Sequence, residues 1–237
     1  MKFADTCVVL CAGRGTRMGG DIPKVLQSVA GRPVVSWVID FWKNQGVTEF
    51  IFVVGYKAYL VTEYIASNGV NGSKVAVQYE QKGIAHAVAT VKNMVPEKFI
   101  VALGDCLQVG EFIYPDNFEQ GYAVWRTDYG KALAQGCAVR TRHGLVTGID
   151  EKPEVTVPGI GTYFFNRNVF NYIQITPTSK LRNEVEISDV IGNMVAHGET
   201  LHAVEFYGDF INVTYPRDIK KAEKLIEGGM VVNERFK

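Results

Sequence analysis

Residues 6–26 read TCVVLCAGRGTRMGGDIPKVL, and the fold follows from the way this stretch changes character. Cys7 to Leu10 is an unbroken apolar run, which reads as a short buried strand. It breaks into a loop with glycine at 13, 15, 19 and 20 that also carries Arg14, Arg17 and Lys24. Glycine lets the backbone come close to a ligand, and bare N–H groups beside cations suit anionic oxygens. The stretch therefore predicts a strand feeding a loop that holds a nucleoside triphosphate.

Outward from it, strand and helix signals alternate. A strand over 6–10 is followed by a helix opened at Pro33, with Val34, Val35, Val38, Ile39 and Trp42 on its apolar face and Gly46 after its end. Strands follow at 50–54, 74–79 and 99–103, with helices at 58–66 and 85–94 between them. This order implies a parallel sheet with helices on both faces. The second half is richer in strands, at 122–126, 137–140, 145–149, 161–165, 201–206 and 210–213. Helices are expected at 169–173, 187–197 and 216–226, the last stopped by Gly228 and Gly229. The prediction is α/β: a Rossmann-like three-layer sandwich with a mostly parallel central sheet and a strand-rich acceptor-binding lobe. Residues 1–237 read as one domain, 1–106 binding nucleotide and 107–237 carrying the acceptor half and a C-terminal helix.

The bulk numbers narrow the function. The chain has 237 residues, of which 47% are hydrophobic and 21% charged, as in an ordinary globular protein with a sizeable core. Lys+Arg and Asp+Glu both number 25, which argues against a protein built on nucleic-acid phosphate contacts. No run approaches the roughly 20 apolar residues of a membrane span, and the N-terminus lacks the pattern of a signal peptide. The cysteines, Cys7, Cys11, Cys106 and Cys137, form no CxxC pair, and free thiols in a reducing cytoplasm are expected. Met230, Val231 and Val232 are candidates for a homo-oligomer interface.

Spacing separates the phosphate-loop types. A P-loop needs GxxxxGK followed by Ser or Thr, and neither Gly13 nor Gly15 satisfies it. A dinucleotide fold wants GxGxxG and an acid closing the second strand. Here Gly13 and Gly15 are followed by Met18, and that strand runs into Val53, Val54, Gly55 and Tyr56. A metal-dependent glycosyltransferase would want DxD, which does not occur.

The whole phrase, Leu10-Cys11-Ala12-Gly13-Arg14-Gly15-Thr16-Arg17-Met18, then Pro23-Lys24-Val25-Leu26 and Gly31-Arg32-Pro33, resembles the signature of the sugar-phosphate nucleotidyltransferase family. The likeness continues through Gln78 to Ala87, similar to the family's base-recognition stretch, and through Val101 to Asp105, similar to its metal strand. It extends to Val146–Pro153, Gly161 to Phe165, Glu186 to Asp189 and Asn212 to Ile219, and is poorest from Cys106 to Gly144.

The resemblance implies transfer of a nucleoside monophosphate to a sugar 1-phosphate, with release of pyrophosphate, in nucleotide-sugar synthesis for cell-surface polysaccharides. It implies Arg17, Lys24 and Asp105 as catalytic residues, and Leu10, Ala12, Gly13, Gly15, Thr16, Gln78, Gly83 and Gly104 at the nucleotide. Gln78 and Gly83 would read the base edge. A Gln amide offers donor and acceptor, suiting the imide of uracil or thymine and so UTP or dTTP. Glu151, Lys152 and Gly136 are implied at the acceptor, and Asp105 with Asn212 as ligands of Mg2+. A carboxylate at the end of a parallel strand suits that hard cation. Many relatives have Asp where this chain has Asn212. The branch that makes UDP-N-acetylglucosamine also uses Asn, although its sugar-binding Asn is replaced here by Gly159. Asp209 cannot substitute, being an odd number of residues away and so on the opposite strand face. Two alternatives stay open: a cytidylyltransferase acting on a non-sugar phosphate such as phosphocholine or a phosphoamino acid, and a non-catalytic nucleotide-binding regulatory protein.

Overall fold

The structure is a computed structural model that describes residues 2–19, 21–68, 70, 72–126, 137–151, 159–179 and 183–235. The chain begins with β1 (Thr6–Cys11), the phosphate-loop segment and a single 3-10 turn at Lys24–Leu26. A small hairpin, β2 (Ser28–Val29) and β3 (Arg32–Pro33), leads into α1 (Val34–Asn44). Then come β4 (Glu49–Val54), α2 (Ala58–Ser67), β5 (Lys74–Val77), α3 (Gly83–Ala89), β6 (Lys98–Leu103) and β7 (Cys106–Ile113). The second half holds β8 (Gly121–Arg126), β9 (Cys137–Arg142), β10 (Leu145–Glu151), β11 (Gly159–Asn166), α4 (Val169–Ile175), α5 (Ile187–Ala196), β12 (His202–Asn212) and α6 (Pro216–Arg235).

Among the described residues, ten strands form one sheet in the order β5-β4-β1-β6-β11-β8-β12-β10-β9, with β7 paired to the far end of β12. The first four strands are mutually parallel, the geometry that helical crossovers impose. β11 joins them antiparallel to β6, and β8 pairs antiparallel with β11 and parallel with β12. β7, β9 and β10 complete the lobe through antiparallel pairs.

Side-chain alternation along β1 divides the core into two faces. Cys7, Val9 and Cys11 join Phe50, Phe52 and Val54 beneath α1 and α2, where Trp42 and Val61 are fully buried. Val8, with Ile51, Val53 and Val101, faces α3 and α5 through Val88, Val190 and Met194. A third cluster ties the phosphate loop to α6, with Met18, Val34, Leu107, Val213, Ala222 and Ile226 in mutual contact.

Some elements differ from the sequence expectation. β5 stops at Val77, although Gln78 N–H still donates to Val54 at 2.7 Å. α3 ends at Ala89 rather than near Met94. Thr90 Oγ1 donates to the Ala87 carbonyl at 2.7 Å, a local bond that competes with helix continuation. β12 is continuous where two strands were expected. Gly208 sits opposite Gly110 on β7, with φ of 144° and 149°, and a Cβ on either would run into the facing backbone. The glycine marks a close strand crossing, not a break. α6 runs on to Arg235, because Gly228 stays helical instead of adopting the left-handed capping conformation. The side chains of Met230, Val231 and Val232 lie outside the described residues. Among described residues, no helix is long and apolar enough to cross a membrane.

Candidate active site

Two parallel strands bring the predicted residues together. β1 and β6 are paired from Cys7↔Ile100 to Leu10↔Leu103, so both release their chains at the same edge. From β1 emerge Ala12, Gly13 and Gly15, and from β6 the turn Gly104-Asp105. Gly104 N–H donates to the Leu10 carbonyl at 2.9 Å. A Cβ on Gly104 would lie 2.7 Å from Cys11 Sγ and 2.8 Å from that carbonyl, so only glycine lets the two strand ends close up. Leu10 is half-buried against the α3 side of the core and Ala12 is buried.

The loop after Ala12 bends back over Lys24. Gly15 has φ of 61°, and a Cβ there would meet Lys24 Cβ at 2.7 Å. Met18 N–H closes the turn onto the Gly15 carbonyl at 2.9 Å while its side chain anchors in the third cluster. A Cβ on Gly13 would meet nothing within 4 Å, so open space lies beside this backbone. Thr16 and Arg17 are exposed on the turn, and no ion pair among the described residues holds Arg17. Lys24, in the 3-10 turn, pairs with the Asp105 carboxylate, and the two side chains are 18% and 16% exposed. Burial, reinforced by the Asp105 charge, pushes the flanking Cys11 and Cys106 thiols well up.

Asn212 reaches the same edge from the opposite half of the chain. It ends β12 opposite Cys106, and the next residue, Val213, donates its N–H to the Asp105 carbonyl at 2.9 Å. The bend that follows is held by Asp218, whose Oδ2 accepts the N–H groups of Thr214 at 3.1 Å and Tyr215 at 2.8 Å at the start of α6. Asn212 Oδ1 is buried and has no hydrogen-bond partner among the described residues. An orphaned buried acceptor needs a partner, which a water or a ligand can supply.

Gln78 and Gly83 form a second group beside this edge. Gln78 is 3% exposed. Its Nε2 lies 3.2 Å from the Gly83 carbonyl and 2.9 Å from His86 Nδ1. Gly83 has φ of 82°, and a Cβ there would come within 2.8 Å of the Glu184 carboxyl carbon. Arg14 Nε donates to Gln81 Oε1 at 3.2 Å, linking the phosphate loop to this group. The His86, Glu184 and Arg14 contacts were not read from sequence, because each pair is separated by a turn or by a long stretch of chain.

The acceptor side is partly described. Glu151 ends β10, but its side chain, Lys152 and Gly136 lie outside the described residues. Gly159 opens β11 beneath Tyr122, and a Cβ would run into the phenol ring and hydroxyl. Tyr122 is 1% exposed and stacks on Tyr163 with ring centroids 4.9 Å apart. A side chain at 159, such as the Asn that the resemblance led one to expect, would thus have to displace Tyr122.

The glycine loop and the Gly-Asp turn thus meet at the carboxyl end of the parallel strands, where ligands bind in open α/β sheets. The Nucleotidyl transferase family model matches residues 6–234, and the chain belongs to that family. It is 30% identical to the UTP–glucose-1-phosphate uridylyltransferase AglF of Haloferax volcanii over 234 residues, covering 93% of this chain and 96% of AglF. It is 27% identical to the bifunctional protein GlmU of Methanococcus maripaludis, of which it spans 53%. Among solved structures it resembles the inositol-1-phosphate CTP transferase of T. maritima, with a TM-score of 0.81, 18% identity and 96% of both chains covered. It also resembles UDP-glucose pyrophosphorylase complexed with UDP-glucose, with a TM-score of 0.78, 18% identity, and 94% of this chain and 98% of that one covered. These two likenesses establish the fold, and the family match establishes a nucleotidyltransferase.

Proposed function

We propose that the chain transfers the nucleoside monophosphate of UTP or dTTP to a sugar 1-phosphate, releasing pyrophosphate and forming a nucleotide sugar. The observation that carries this reading is the convergence of the Gly13–Gly15 backbone, Lys24 and Asp105 at one sheet edge, in a chain similar to AglF along its length. A 29% likeness to the low-salt glycan biosynthesis nucleotidyltransferase Agl11 of Haloferax volcanii supports a role in supplying nucleotide sugars for surface glycans. Among the described residues, Cys7, Cys11 and Cys106 are free and buried, which agrees with a reducing cytoplasm as its location.

The reaction requires no activated side-chain nucleophile. An anionic oxygen of the sugar 1-phosphate attacks the α-phosphorus, forming one P–O bond. The bond from the α-phosphorus to the bridging oxygen breaks, and pyrophosphate leaves with its electron pair. Gly13 and Gly15 offer backbone N–H groups to the triphosphate, while Lys24 and Arg17 neutralise charge as it moves toward the leaving group. Asp105 and Asn212 would hold Mg2+. The donors fit: a carboxylate and an orphaned amide oxygen are hard ligands, and Mg2+ commonly takes one or two protein oxygens plus phosphates. Bound there, the ion would polarise phosphate oxygens. Glu151, Lys152 and Gly136 remain the proposed acceptor contacts.

The test is a matrix of UTP, dTTP, CTP, ATP and GTP against sugar and non-sugar phosphates, read by pyrophosphate release. Release with UTP or dTTP and a sugar 1-phosphate is expected. Release only with CTP and a non-sugar phosphate would replace this reading with the cytidylyltransferase one, and nucleotide binding without release would support the regulatory one.

A further inference from the structure

We propose that His86 is a positioning residue that locks the Gln78 amide with its oxygen toward the nucleobase, so that the site selects bases with an N–H at position 3. The inference rests on the reading above that Gln78 faces the base. Gln78 Nε2 lies 3.2 Å from the Gly83 carbonyl and 2.9 Å from His86 Nδ1. A backbone carbonyl only accepts, so the NH2 end of the amide, not its oxygen, faces Gly83. The amide has a second N–H, and His86 Nδ1 takes it, which requires a lone pair there and the imidazole proton on Nε2. Both acceptors stand in the first turn of α3, three residues apart.

Turning the amide over would set its oxygen against a carbonyl and a nitrogen lone pair in a site that is 3% exposed. Buried acceptors facing one another lose their hydrogen bonds and their hydration together. With both amide hydrogens committed, only the Gln78 oxygen remains for a base. Uracil and thymine present N3–H to such an acceptor, whereas cytosine presents a lone pair at the same position. Gln78 therefore reads the imide as an acceptor only, which sharpens the expectation that it would serve as donor and acceptor together. His86 touches neither phosphate nor acceptor in this account; it acts through Gln78.

Two variants separate this role from packing. His86→Asn keeps an acceptor oxygen near the Nδ1 position, and His86→Leu keeps bulk without an acceptor. UTP and CTP affinities, by titration calorimetry, and kcat/KM with each triphosphate are compared. The UTP-over-CTP preference should fall about tenfold in His86→Leu, the worth of one hydrogen bond, and stay near the parent value in His86→Asn. The Gln78 side-chain amide resonances, recorded without nucleotide, should shift in His86→Leu and not in His86→Asn. An unchanged preference in folded His86→Leu, or equal losses in both variants, would overturn the inference while leaving the enzymatic reading intact. If the parent protein transfers no nucleotide, the enzymatic reading fails, and unshifted amide resonances in His86→Leu would then overturn the His86 lock on their own.

Discussion

Lys24 pairs with Asp105 across the mouth of the site, linking the turn that follows the phosphate loop to the carboxyl end of β6. In the proposed reaction the ammonium turns to the triphosphate and the carboxylate to the metal. Each group satisfies the other until both substrates arrive. Lys24→Met should therefore lower turnover by roughly two to three orders of magnitude, yet leave Asp105 freer to bind a cation. Mn2+ titration followed by electron paramagnetic resonance, without nucleotide, should show tighter binding in Lys24→Met than in the parent. Weaker binding would mean that the lysine helps to assemble the metal site.

Asn212 carries the second test of that site. Its buried Oδ1 has no partner among the described residues. Asn212→Asp adds a charge beside Asp105 and should reduce the Mg2+ concentration needed for half-maximal rate. Asn212→Leu should raise that requirement with little loss of stability, because it removes an unsatisfied buried acceptor. Rate against Mg2+ concentration, with thermal melts alongside, checks both outcomes.

The loop geometry predicts a coupled loss at Gly15. A methyl group there meets a φ of 61° and the Lys24 side chain at 2.7 Å. Gly15→Ala should cost about 1–3 kcal/mol in denaturant unfolding, and activity should fall because Lys24 is displaced. Gly13→Ala meets nothing within 4 Å and should leave stability within about 0.5 kcal/mol of the parent.

The thiols predict an alkaline limit. Burial holds Cys7, Cys11 and Cys106 in the neutral form well above the ordinary thiol range. Above about pH 9 the unfolded chain loses these protons while the folded chain keeps them. The folded state then binds more protons, so stability is full below that pH and falls as pH rises, by about 1.4 kcal/mol per thiol per pH unit. Urea melts between pH 7 and 10.5 should show the decline. Iodoacetamide should label these three residues only after unfolding.

Much of the nucleotide half was legible in the sequence. Strands buried on both faces, such as β1 and β4, leave continuous apolar runs, and the glycines that shape the phosphate loop announce themselves. β7 was missed because Gln108, Gly110 and Glu111 interrupt its apolar pattern; its partner β12 supplies the pairing from about a hundred residues away. The Gln78–His86 contact was missed for a related reason. His86 stands on α3, and only the turn between β5 and α3 brings it onto the amide. Glu151 and Lys152 were expected at the acceptor from the family resemblance without any physical signal of their own, and Gly136 lies in the stretch where that resemblance is poorest.

In the proposed reaction the α-phosphorus is the one attacked. Incubation with a sugar 1-phosphate and UTP labelled at either the α- or the γ-phosphate, with Mg2+, tests it directly. α-Label should enter a nucleotide sugar and γ-label should leave as pyrophosphate, with both transfers reduced by orders of magnitude in Asp105→Ala. Passage of γ-label to the sugar phosphate, or its release as orthophosphate with the α-label left in UDP, would contradict it.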